Sequence, residues 1–95
     1  MAIAKYIVYD YGGYDVAVIF HAVVDHSRMV EDVIPGDNYA DKKAKVKGAG
    51  FVTIGANRDG FVVSCYGKST TLGIESRETE DTEVVRSTLG YSIFD

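Results

Sequence analysis

Hydrophobic and polar positions follow two different periods along this chain, and the changes of period mark its elements. The stretch "KYIVYDYGGYDVAVIFHAVV" holds two β-rich runs on either side of Gly12-Gly13. Consecutive glycines supply the positive φ angles of a two-residue hairpin turn. Such a turn pairs Tyr11 with Tyr14, Asp10 with Asp15, Tyr9 with Val16 and Ile7 with Val18. One face then carries Ile7, Tyr9, Tyr11, Tyr14, Val16, Val18 and Phe20. The other carries Tyr6, Val8, Ala17, Ile19 and His21, with Asp10 and Asp15 near the tip. Both faces are largely apolar, so each needs a cover. The chain's own helices supply one, and a second subunit is the candidate for the other.

In "DHSRMVEDVIPGD", Asp25 or Ser27 can cap a short helix whose apolar stripe is Met29, Val30, Val33 and Ile34. Pro35-Gly36 ends it, because the residue before proline avoids helical angles. Residues 36–48 read as an exposed loop carrying Lys42, Lys43, Lys45 and Lys47. "AGFVTIGANRDGFVVSCYG" is a second hairpin around a type I turn at Asn57-Arg58-Asp59 followed by a left-handed Gly60. "STTLGI" reads as a further short strand, with Leu72 and Ile74 on one face. The last segment predicts a helix with Thr79 as N-cap, acidic residues at its positive end, and Gly90 as the glycine after its end. Val84, Val85 and Leu89 form its inward side, and the tail "YSIFD" either docks or hangs free. The order β-β-α-β-β-(β)-α, with short connections, predicts an α+β domain spanning 1–95: a mostly antiparallel sheet with two short helices.

Composition narrows the function. The 95 residues carry 10 Lys plus Arg against 14 Asp plus Glu, a net charge of −4. A nucleic-acid partner calls for a basic excess or stripe, so nucleic acid is disfavoured. A single cysteine, Cys65, excludes an intramolecular disulfide and a cysteine-based zinc cluster. The N-terminal residues show no secretory pattern, and no apolar run reaches the roughly 20 residues of a membrane span. The expectation is a cytoplasmic protein that makes no membrane contact.

"CYGKSTTLG" contains Gly67-Lys68-Ser69, the tail of a phosphate-binding loop. The full motif needs a glycine where Val62 stands, and a helix where "TTLGIES" reads as β structure. A narrower version survives: a small anion held at Lys68 and Ser69 with help from Arg77. His21 and His26 lack metal-ligand spacing, so no metal and no cofactor is expected. Cys65 lies mid-strand with no orienting partner in view, and no nucleophile, base and orienter can be assembled, so no enzyme is expected. Asp10 and Asp15 are like charges set opposite one another, which Lys5 or another cation must relieve.

Charge and aromatic residues point instead to protein recognition. Glu78, Glu80, Asp81 and Glu83 crowd one helix start and suit a basic partner, partly as ordinary capping. Tyr9, Tyr11, Tyr14 and Tyr39 are the candidate contact tyrosines, since tyrosine is enriched at binding hot spots. The alternative explanation is that tyrosine favours strands.

From Ala49 to Gly90 the chain, through "AGFV", "CYGKSTTLGIESR" and an acidic helix ending in "LG", resembles small accessory proteins encoded by tailed phages and prophages. That resemblance implies a non-catalytic protein acting in a bacterial host by binding a host protein, including blockade of defence systems such as CRISPR effectors. It carries over no functional residue. Two further expectations stand beside it. One is a homo-oligomer, a dimer in the simplest case, that sequesters an anionic nucleotide signal. The other is a self-assembling structural component.

Overall fold

The computed structural model describes residues 2–58 and 60–94, apart from the side chains of Phe61 and residues 91–94. The fold is α+β. Its strands are β1 (Ala2–Tyr11), β2 (Tyr14–Phe20), β3 (Val46–Asn57), β4 (Gly60–Tyr66), β5 (Lys68–Ser69) and β6 (Ile74–Glu75). Its helices are α1 (His26–Val33), α2 (Tyr39–Ala44) and α3 (Glu78–Phe94). Strands β2-β1-β3-β4 form an antiparallel four-stranded sheet, and β5-β6 form a small hairpin beside it.

The first hairpin folds in the register that its double glycine dictates. Gly12 and Gly13 take φ of 61° and 92°, and Tyr11 faces Tyr14 while Asp10 faces Asp15. Alternation along β1 then divides the protein into two cores. Tyr6 and Val8 point to one side, where they meet Ala17, Val52, Val63, Cys65 and Val85. Ile7 and Tyr9 point to the other, against Phe20, Val30, Ile34, Ala49 and Leu72. The α3 side is thus closed by one long helix, and the opposite side by α1, α2 and the β5–β6 turn. Both covers come from the chain itself, because the β2-to-β3 crossover carries α1 and α2 onto the face opposite α3. The outer end of that face stays open, where Ile3, Val62 and Tyr66 are exposed.

Three local expectations are corrected. Residues 36–48 are not all loop. Asn38 caps α2 by accepting from the Asp41 amide at 2.9 Å, and Lys42 and Lys43 occupy its negative end. Lys42 then reaches Glu31 of α1 at 3.3 Å and Lys45 donates to the Pro35 carbonyl, so these lysines tie the two helices together. Leu72 lies in the turn between β5 and β6 rather than in a strand, but it is buried and shares its core with Ile74. Finally, α3 begins at Glu78, which places Thr79 inside the helix, and it runs through Gly90. Gly90 does not take a positive φ; glycine permits a left-handed cap without enforcing one. The inward positions hold: Val85 is fully buried and Val84 and Leu89 pack beside it. Asp59 of the second turn and the tail side chains lie outside the described residues. Asn57 does face Gly60 there, and Gly60 has a φ of 127°.

Candidate functional site

A chain of charged groups links α3 to the first hairpin, beginning at a buried carboxylate. Asp81 lies four residues before Val85 and eight before Leu89, on the apolar stripe of α3, and is 0% exposed. Burying a carboxylate is costly unless it is paired and hydrogen-bonded. Here it is both. The Tyr6 hydroxyl donates to its Oδ2 at 2.6 Å, and the Arg77 guanidinium contacts Oδ1 through Nε at 3.0 Å and a terminal nitrogen at 2.7 Å. The Arg77 amide also donates to Oδ2 at 3.0 Å, closing the first turn of the helix. Desolvation and the adjacent carboxylate push the Tyr6 phenol far above its ordinary pKa, so it stays a donor.

Glycine makes the space for this carboxylate. A Cβ at Gly48, which pairs with Val8, would overlap Asp81 itself. Next to it, the β1–β3 register shifts between Val8 and Tyr9, which leaves Lys47 without a pairing partner on β1. The shift puts the Lys47 side chain where its Nζ meets Asp15 at 2.8 Å. Arg77 approaches the other Asp15 oxygen at 3.6 Å. The facing aspartates of the tip are therefore relieved by Lys47 and Arg77, whereas Lys5 donates to the Val24 carbonyl at 3.0 Å. The Lys47 hydrogen bond leads the influences that hold the Asp15 carboxyl below its ordinary value.

This network brings two groups of predicted contact residues to one end of the molecule. Tyr14 adjoins Asp15, Glu78 adjoins Arg77, and Asp15 and Arg77 touch. Tyr14 and Tyr11 are 76% and 57% exposed. Glu78, Glu80 and Glu83 are exposed as well, with Glu83 engaged by Arg86 at 2.7 Å. The remaining candidates lie elsewhere: Tyr9 is in the core, Tyr39 packs against that same core, and Asp81 is internal.

Lys68, Ser69 and Arg77 are not brought together. Ser69 is buried and its hydroxyl accepts the Leu72 amide at 3.1 Å, which closes the β5–β6 turn. Arg77 is committed to Asp81 and Asp15, and the shallow depression beside Gly67 and Lys68 is also lined by Glu75 and Glu78. No helix follows Gly67-Lys68-Ser69 directly; strand and turn do. The histidines are separated too. His26 is buried at the start of α1, its Nε2 2.8 Å from the Gly50 carbonyl and its ring edge-on to Phe20 and Phe51. His21 is exposed and accepts the Val23 amide through Nδ1. Cys65 is buried in β4, and burial raises its thiol pKa. Among the described residues no group of His, Cys, Asp and Glu is arranged to hold a metal ion, and no helix is long and apolar enough to cross a membrane.

Neither a protein-family model, nor a curated protein, nor a solved structure matches this chain.

Proposed function

We propose that the protein is a non-catalytic binding module whose contact surface is the end of the molecule formed by the first hairpin tip and the start of α3. The observation that supports this reading is the Asp15–Arg77 contact. It sets two exposed tyrosines beside the exposed acidic residues at the start of α3, and neither group has a role in the core. Tyrosine offers a large contact area at low entropic cost, and a rigid hairpin pre-organises it. The carboxylates favour a partner with a basic surface and speed its encounter. In the setting that the resemblance of residues 49–90 implies, that partner is a host protein and binding occludes it, a nucleic-acid-binding defence effector being the kind of target whose basic groove the acidic face would suit.

The test is native mass spectrometry of tagged protein recovered gently from bacterial lysate. Three forms are compared: the wild type, Tyr11→Ala/Tyr14→Ala, and Glu78→Lys/Glu80→Lys/Glu83→Lys. The reading predicts a stoichiometric foreign polypeptide with the wild type that is lost from both variants while their circular dichroism is unchanged. A polypeptide retained equally by all three, or a wild type that carries none, would count against it.

A further inference from the structure

The cavity beside α1 has a different chemistry, and we propose that it binds a single tetrahedral oxyanion: free phosphate or sulfate, or the terminal group of a phosphomonoester. It lies between the start of α1 and the β5–β6 turn, has a volume of about 70 Å³, and has Phe51 as one wall and Lys5, Asp25, His26, Lys68 and two threonines around the rest. That is room for a few waters or one group of phosphate size, and it is too small for a whole nucleotide.

Its donors come from separate elements. Lys5 on β1 uses one N–H on the Val24 carbonyl, which leaves two free. The side chains of Lys68 and Thr70 have no partner among the described residues. Thr71 accepts the Ser27 amide at 3.3 Å and so holds the β5–β6 turn against the helix. Asp25 is the N-cap of α1, but its side chain makes no capping bond, so it leaves amides of the first turn uncapped while its charge still faces the positive end of the helix. Asp25 contributes one negative charge to the lining, against two positive charges from Lys5 and Lys68.

The feature that points to a ligand is His26. It is 4% exposed, and the Gly50 carbonyl fixes Nε2 as the N–H donor of the neutral ring. Nδ1 is then left without a partner among the described residues. No side-chain nitrogen or oxygen sealed from solvent there lacks a partner, so Nδ1 must open onto accessible space, and the cavity borders the ring. The charged groups around the imidazole are Lys5 from β1, Asp25 from its own cap and Lys68 from β5. Burial, and then Lys5, hold the imidazole below its ordinary pKa. A bound oxyanion reverses that balance, letting Nδ1 take a proton and donate it as a hydrogen bond to the anion.

The test is a titration followed through the imidazole nitrogen resonances, with sulfate, inorganic phosphate and glycerol phosphate as probes, on the wild type and Lys68→Met. Lys68 is exposed and unpartnered among the described residues, so its loss leaves the fold intact. Saturable movement of His26 Nδ1 is expected, with His21 unmoved and binding about tenfold weaker in Lys68→Met, the scale of one charge-assisted hydrogen bond. Sulfate, whose charge stays constant, should bind more tightly as the pH falls from about 7.5 to about 6. Glycerol phosphate binding as tightly as phosphate would assign the site to a group on a larger molecule, and weaker binding would assign it to the free ion. A His26 resonance that none of the three probes moves, or equal affinity in Lys68→Met, would overturn the proposal.

Discussion

The two sides of the sheet are built from the same strands but are held by different forces. On the α3 side, Asp81 sits at a helix position that periodicity reserves for an apolar residue, and Tyr6, Ser76, Arg77 and Gly48 are arranged around it. On the α1 side the contacts are mostly apolar, and His26 and Ser69 are the buried polar side chains that accompany them. Shape and area do most to position the second side, with single bonds such as His26 to the Gly50 carbonyl and the Ser27 amide to Thr71 added to them. Directional bonds position the first, and they also fix where the acidic helix start lies relative to the tyrosine tip. A network of this kind rewards completeness: fully satisfied it is tolerated, and with one member missing it leaves a buried charge or donor stranded.

The largest effect should therefore come from Asp81→Ala, which leaves the Tyr6 hydroxyl only Ser76 and leaves Arg77 only its longer contact with Asp15. We expect a loss of about 2–4 kcal/mol in a urea titration, short of the full cost of breaking a buried pair because Arg77 is partly exposed. That is a large share of the roughly 5–15 kcal/mol that stabilises a domain. Gly48→Ala should follow, at about 1–3 kcal/mol, because the new methyl group displaces the carboxylate. The same change made in an Asp81→Ala background should cost clearly less. Equal costs in the two backgrounds would mean that the glycine serves the strand and not the carboxylate.

A smaller effect on the α1 side is set by pH. Burial favours neutral His26, so its folded-state pKa lies below the ordinary 6.5. The stability tied to this group is complete above the unfolded value. It is lost as the pH falls from there through the lower folded value, since only the unfolded chain gains the proton over that range. Asp15 behaves alike at more acid pH: its contribution is present above about 3.8 and is lost as the pH falls through its depressed folded value. Thermal melts at stepped pH should separate the two transitions, and a His26→Gln variant should lack the upper one. The smallest effect belongs to the exposed pair Arg28–Asp32 on α1. Removing Arg28 should change stability by less than about 1 kcal/mol, and salt should erase the difference.

How much of this could be read from the residues depends on the range of the cause. The first hairpin was legible because Gly12-Gly13 fixes its register locally, and the register fixes which residues share a face. The α2 helix was also within reach: Asn38 followed by Asp41 and a lysine-rich end is a capping and dipole pattern, which the lysine count obscured. Asp81 had a visible signal in its spacing to Val85 and Leu89, but its neighbours Glu78, Glu80 and Glu83 made it look like one of a surface group. What periodicity does not contain is the partner far away in the chain. Tyr6, Gly48 and Asp15 explain the carboxylate and its arginine only once the sheet has brought them together. The same holds for the cavity, where Lys5 and Lys68 converge from positions far apart in the sequence, and for Arg77, which the network claims before any anion can.

The central claim is that the hairpin tip and the start of α3 act as one contact surface. Hydrogen–deuterium exchange of the protein, free and bound to the polypeptide it recovers from lysate, tests that claim most directly. The account predicts new protection concentrated at residues 10–15 and 78–83, with the open strip around Ile3, Val62 and Tyr66 unchanged. Protection confined to that strip, or spread over one of the two segments alone, would contradict it.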